Sequence, residues 1–389
     1  MQPRCVLNGS PSDLKSSFAD LTDFCLEASI LGSFSKFGYL LRSKLYGWDG
    51  NPSVAANTIR SPQAGTQNTG ERHLTAVITG FSSGIGLATA AGLARSGWRI
   101  IGISGNKERC THALKSIVSI RREDSGDESH PGENVFVYDA SRQGGDCGAL
   151  PPGISHAITA NVAELSQIDE AVKIIRQNSS QIDLLIHCAG KIYQNMDFTE
   201  DGFESTLALH VLGPHLLTKT LLDVMTATGS YMPRVIWVSS GGMYAVPLDL
   251  DRLLYPNRYR YRAATAYAYA KRIQVELAEI WAVKLADSNR LAFSMHPGFV
   301  DTRAIREGVP AFTKLMKPFL RTPEQGADTL LYLATLSETK KLLALNGSFL
   351  LDRKPRSTSK IKSGIAPVSK KILTFDAIDS LVSGRGRSK

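Results

Sequence analysis

Tyr267 and Lys271 stand four residues apart, so on a helix their side chains share one face. A tyrosine ordinarily titrates near ~10, too high for a good base at neutral pH, and an ammonium held beside it favours the phenolate. Such a pair can give or take the proton that accompanies hydride transfer. Well upstream, the stretch Thr79-Gly80-Phe81-Ser82-Ser83-Gly84-Ile85-Gly86 carries a glycine cluster. A Gly-rich turn between a strand and a helix can cradle the phosphates of a dinucleotide. Either signal alone is weak. Together, in this order, they point to a nicotinamide-dependent oxidoreductase.

The flanks of the glycine cluster supply the elements it needs. Leu74–Thr79 is a short apolar run rich in β-branched residues and reads as a buried parallel strand. Ile85, Leu87, Ala88, Ala91, Leu93 and Ala94 then continue at helical spacing up to Gly97. Gly80 would allow the tight turn, while Gly84 and Gly86 would let the backbone approach a pyrophosphate at the helix N-terminus. Further apolar runs end near Ser104, Ala160, His187, Ser239, His296 and Leu351, with helical segments between them as far as His296. This alternation predicts an α/β fold, a doubly wound and mostly parallel sheet of seven strands with helices on both faces. Residues 202–228 and 264–286 read as two long central helices.

Thr79-Gly80-x-x-x-Gly84-Ile85-Gly86, Cys188-Ala189-Gly190, Val238-Ser239-Ser240, Tyr267-x-x-x-Lys271 and His296-Pro297-Gly298 occur here in sequence. Their order resembles the short-chain dehydrogenase/reductase superfamily, and within it the retinol-dehydrogenase-like branch. Val238–Met243, Ser294–Gly298, Glu324–Thr329 and Asp352–Pro355 are similar to a single member of that branch. The resemblance covers roughly residues 71–358 and implies one Rossmann-type catalytic domain over 71–352. It implies that Tyr267 is the acid/base, that Lys271 also binds the nicotinamide ribose, and that Ser240, rather than Ser239, orients the substrate oxygen. The family's fourth catalytic position, an asparagine, is His210 here. In the family that residue's carbonyl holds a water linking the lysine to solvent. A histidine either keeps this relay through its main chain, joins the proton path through its imidazole, or impairs the site.

The same resemblance assigns the cofactor cradle to Thr79, Gly80, Ser82, Ser83, Gly84, Ile85 and Gly86. It places Asn161 and Val162 beside the adenine, Ala189 and Gly190 along the cofactor, Pro297 and Gly298 over the nicotinamide, and Thr302 on its carboxamide. The second strand ends in Ser104-Gly105-Asn106-Lys107 and lacks the carboxylate that would bind a ribose 2′-hydroxyl. Lys107 or Arg109, with Asn106 in the same turn, could instead meet a 2′-phosphate. NADP(H) is therefore favoured, with NAD(H) also possible. Residues 299–320 are rich in apolar side chains and cover the substrate in the family, which suggests a lipophilic alcohol, ketone or aldehyde.

Three stretches fall outside this plan. Residues 123–153 read as a flexible surface insert, with Val135–Tyr138 a candidate strand inside it. Residues 353–389 carry ten Lys/Arg against two Asp, nearly the whole formal charge of +9, and read as a disordered basic tail. Within the N-terminal extension 1–70, Leu21–Trp48 has apolar residues at helical spacing, interrupted by Glu27 and Lys36, so a transmembrane helix is not expected. It reads either as a helix lying on a membrane or as one packed on the domain or a sister subunit. No secretory signal is evident, and five scattered cysteines lack metal-ligand spacing, which places the chain in a reducing, cytoplasmic setting. Peripheral membrane contact through residues 21–48 or the tail stays open, as does a homo-oligomer; nothing predicts a specific nucleic-acid or metal partner. The rival to an enzyme is a catalytically silent binding or scaffold protein of the same fold.

Overall fold

The computed structural model describes residues 30–48, 73–125, 135–141, 154–227, 229, 231–360 and 365–384. Nine strands form one sheet: β1 Thr75–Thr79, β2 Arg99–Ser104, β3 Val137–Asp139, β4 His156–Thr159, β5 Leu184–His187, β6 Arg234–Val238, β7 Leu291–Met295, β8 Phe349–Leu351 and β9 Lys354–Arg356. Their order is β3-β4-β2-β1-β5-β6-β7-β8-β9, and only β8–β9 is antiparallel. The seven expected strands are all present. The two additions are edge strands, one from the Val135–Tyr138 candidate and one from the segment read as tail. The rest of the 123–153 insert lies largely outside the described residues.

Every residue of β1, β2, β5, β6 and β7 is buried, because helices cover both faces of the sheet. Alternate strand residues feed two apolar cores. Val77, Ile101, Leu185, Val235 and Trp237 pack on the helices Leu165–Asn178, Gly213–Leu221 and Ala263–Leu285. Ala76, Ile78, Ile100, Leu184 and Ile186 pack on Gly84–Arg95, Lys107–Ser125 and Pro323–Thr335. The strand order reverses direction between β1 and β5, the place where such sheets open a ligand crevice beyond their carboxyl ends. Thr79 spans that point. Its hydroxyl accepts from the Cys188 and Ala189 backbone N–H groups, both at 3.1 Å, and holds the two strand ends together.

The disordered-tail expectation is corrected. Val368–Ser383 is a helix whose Phe375, Ile378 and Val382 are buried against the Gly213–Leu221 and Ala263–Leu285 helices. The spacing of those three residues is helical and apolar, a signal masked by the surrounding charge. At the other end, Ile30–Phe34 and Lys36–Leu45 are helices packed on the domain, with Arg42 fully buried. No helix among the described residues is long and apolar enough to cross a membrane.

Candidate active site

A cleft of ≈540 Å³ runs across the carboxyl ends of β1, β2, β5 and β6. One end is the glycine turn. Gly80 has φ +71°, and a Cβ there would lie 2.7 Å from the Ala189 Cα, so both the conformation and the close approach demand glycine. Gly86 has no room either, since its Cβ would meet the Gly80 carbonyl at 2.3 Å. The helix that follows begins at Gly84, and Ser83 before it offers no side-chain cap. Its first N–H groups therefore face the cleft as an anion site. Ser82, Ser83, Gly84, Ile85, Asn161, Val162, Ala189, Gly190, Pro297, Gly298 and Thr302 all line the cleft. This cradle suits a pyrophosphate.

Three expected cofactor residues lie elsewhere. Thr79 is spent on the β1–β5 clasp. Asn106 and Lys107 are not in the wall, and Asn106 instead caps the next helix by accepting from Arg109 N–H at 2.8 Å. Arg109, one turn further on, does line the cleft, as do Ser104 and Gly105. Ser104 itself pairs with Ser82 at 2.7 Å, tying the second strand to the glycine turn.

The other end of the cleft holds the reactive side chains. Ser240, Tyr267 and Lys271 all line it. The Lys271 ammonium lies 5.4 Å from the centre of the Tyr267 ring, and Ser240 stands near the Tyr267 phenol. Ser239 is excluded from that role because its hydroxyl donates to the Lys271 carbonyl at 2.7 Å. The Ala263–Leu285 helix thus carries Tyr267 and Lys271, and the turn after β6 carries Ser240. Burial pushes the Tyr267 phenol up to about 12, only partly countered by Ser240, and pulls Lys271 down to about 7. The expectation of a lowered phenol is therefore not met. Removing both groups from water disfavours both charged forms.

His210 lies in a π-helical turn, Ala208–Leu212, and is fully buried. Its Nε2 faces the Lys191 carbonyl at 2.9 Å, and its ring stands edge-on to Tyr267 with centroids 5.3 Å apart. Burial, with Lys271 beside it, drives its pKa well below the usual value, so the imidazole is neutral. The main-chain link is what connects it to Lys271. The Gln274 amide donates to the His210 carbonyl at 2.7 Å, and the Gln274 Oε1 accepts from Lys271 Nζ at 3.0 Å. Lys271 also donates to the Val238 carbonyl at 2.8 Å. Gln274 was not singled out from the sequence, although its place one turn beyond Lys271 on the same helix was the available signal.

Arg321 shapes the turn over the cleft. Its guanidinium reaches the Pro297 carbonyl at 3.3 Å and fills the space where a Gly298 Cβ would lie, 2.2 Å from Arg321 Nε. Asp352 accepts from Arg321 at 2.6 Å and from Arg42 of the N-terminal helix at 2.8 Å. The apolar part of the cleft is made by Ile192, Leu209, Val300 and Ile305. Of the other apolar residues in 299–320, Leu315 and Phe319 point to solvent instead.

Residues 74–126 match the short chain dehydrogenase profile, and residues 130–247 match the Enoyl-(Acyl carrier protein) reductase profile. Dehydrogenase/reductase SDR family member 12 of Homo sapiens is 32% identical over 283 residues, covering 72% of this chain and 77% of its own length. Human polyprenol dehydrogenase is 30% identical over 290 residues, with the same two coverages. Human retinol dehydrogenase 14 is 29% identical over 276 residues, covering 68% of this chain and 75% of its own. Among solved structures, the L-sorbose reductase of Gluconobacter frateurii complexed with NADPH and L-sorbose superposes with a TM-score of 0.51 at 19% identity. It covers 73% of this chain and 96% of that one. A crevice at the sheet's reversal point, a glycine cradle and Ser240, Tyr267 and Lys271 in one wall agree with these likenesses, and the chain belongs to the short-chain dehydrogenase/reductase family.

Proposed function

We propose that the protein is an NADP(H)-dependent oxidoreductase that interconverts an alcohol and a carbonyl on a lipophilic small molecule, with Tyr267 as acid/base. The observation that carries this reading is a single cleft with an anion cradle at one end and Ser240, Tyr267 and Lys271 at the other. A bound nicotinamide would supply or receive the hydride. The Tyr267 phenol gives its proton to the carbonyl oxygen or recovers it from the alcohol, and Ser240 holds that oxygen in place. Lys271, fixed by Val238 and Gln274, presents its charge to the phenol. Arg109 in the wall, with no acid at the end of β2, supports a 2′-phosphate and hence NADP(H) over NAD(H). The walls formed by Ile192, Leu209, Val300 and Ile305 support an apolar substrate. So do relatives whose names specify retinol and polyprenol.

The test begins with the full chain titrated with NADPH and with NADH, following cofactor fluorescence. Turnover is then measured on a panel of lipophilic ketones and aldehydes, with Tyr267→Phe as the control. The expected result is tighter binding of NADPH, and turnover that falls by about 10²–10⁴-fold in the variant. Cofactor binding with no turnover on any carbonyl would favour the silent scaffold, the reading that the histidine at position 210 keeps in view. Failure to bind either cofactor overturns the enzyme reading and leaves a dinucleotide-shaped fold kept for interaction.

A further inference from the structure

The Lys36–Leu45 helix has two faces of different character. Gly38, Tyr39, Arg42 and Ser43 are buried on the domain. Lys36, Phe37, Leu41 and Lys44 are exposed and fall within the opposite arc, with Leu40 half-buried between them. Phe37 is 64% exposed and Leu41 39%. Beside them, Leu315 at 77% and Phe319 at 39% project from the segment that follows the cleft's outer helix, and the Phe37 and Phe319 rings are 6.0 Å apart. Lys314 and Lys317 are exposed on the same segment. None of these four lysines has an acidic partner among the described residues. Large apolar side chains left in water together mark a contact surface.

We propose that Phe37, Leu41, Leu315 and Phe319, flanked by Lys36, Lys44, Lys314 and Lys317, are a docking surface for an anionic lipid bilayer. Aromatic and leucine side chains enter the headgroup boundary, and the exposed lysines meet the negative surface potential of acidic lipids. A second copy of the chain is a poorer occupant, because a two-fold contact would set lysines against lysines. The helix cannot float free to bind, since Arg42 on its buried face is locked to Asp352 at 2.8 Å and to the Ser33 carbonyl at 2.7 Å. Docking is therefore by a preformed surface. The surface also adjoins the cleft: Thr313 donates to the Ile305 carbonyl at 3.1 Å, and Ile305 lines the cleft wall. Bilayer contact would place that wall at the lipid, a consequence that rests on the lipophilic substrate proposed above.

The experiment is co-sedimentation of the full chain with vesicles of phosphatidylcholine alone and with about a third phosphatidylserine. The expected result is binding to the acidic vesicles that weakens with added salt. Phe37→Ser combined with Leu315→Ser should lower the partition coefficient more than about tenfold while leaving thermal melting unchanged, since both residues are exposed. Lys36→Ala combined with Lys317→Ala should remove the preference for phosphatidylserine. Absence of sedimentation, or sedimentation that the Phe37/Leu315 variant leaves intact, overturns the proposal. So does a concentration-dependent dimer, seen by light scattering, that this variant abolishes. Each readout is independent of turnover, so loss of the enzymatic reading and loss of the docking surface are told apart.

Discussion

Residues 30–45 and the Val368–Ser383 helix both lie outside the main strand–helix alternation, both carry basic side chains, and both are anchored by buried charge. They nevertheless serve different parts of the molecule. The Phe34 carbonyl accepts from the Phe299 N–H at 2.8 Å and from Arg321 at 3.1 Å, and its ring meets His296 edge-on at 4.4 Å. A Cβ on Gly241 would touch the Phe34 ring at 2.6 Å. The first segment therefore braces the Pro297–Gly298 turn and the turn after Ser240, and Pro297, Gly298 and Ser240 line the cleft. The C-terminal helix instead packs Phe375 on Trp281 and His215, with ring centroids 5.2 and 5.0 Å away. Its Lys371 is buried against Glu276 at 2.9 Å and Glu279 at 2.6 Å, and none of its residues lines the cleft. What an appendage touches, and not how deeply it is buried, decides whether it bears on the chemistry.

Arg42→Met should show the contrast most strongly. Removing one partner from a buried ionic cluster costs about 3–5 kcal/mol, and here it also loosens Arg321 beneath the Pro297–Gly298 turn. Urea denaturation should report the lost stability, and the NADPH titration a weaker affinity. If affinity held at the reduced stability, the brace would be merely structural. Phe375→Ala should cost about 3 kcal/mol through the cavity it leaves, yet the folded variant should bind NADPH as before. A change in NADPH affinity there would break the comparison from the other side.

The smallest effect is a matter of pH. Lys219 at 2.7 Å and His215 at 3.0 Å hold the Asp379 carboxyl below its usual range. A carboxyl lowered by folding adds stability at pH values above its unfolded pKa, and that stability is lost as pH falls through the folded value. The group is about a third exposed, so solvent screening limits its worth to under about 1 kcal/mol. The melting difference between the native chain and Asp379→Asn should therefore be small near neutrality and vanish in acid. A difference that instead grew as pH fell would contradict the pairing.

Much of the architecture was legible because local patterns agreed with the global fold. The β1 strand, the glycine turn and the helix after it each follow from residues adjacent in sequence, and Tyr267 and Lys271 face one way because a helix turns every 3.6 residues. The resemblance of ordered motifs then supplied roles for Ser240 and Thr302, and the structure places both in the cleft. The choice between Lys107 and Arg109 could not be made on sequence grounds. Whether Lys107 or Arg109 faces the crevice depends on the orientation of a helix start, set by Asn106 capping and by the packing of Cys110.

Composition misled at the C-terminus, where charge density hid the helical spacing of Phe375, Ile378 and Val382. Long-range encounters were equally hidden. No local signal joins Arg42 to Asp352 or Gln274 to the His210 carbonyl, because such pairs exist only once the chain has folded back on itself. The sequence by itself determined the doubly wound class, the glycine turn and the one-faced pairing of Tyr267 with Lys271, since these rest on contiguous residues and helical periodicity. Only the tertiary structure decided whether Lys107 or Arg109 lines the cleft, how Lys271 is held, and which appendage braces the cleft. Those outcomes depend on burial and on contacts between residues far apart in the chain, and no spacing rule encodes them.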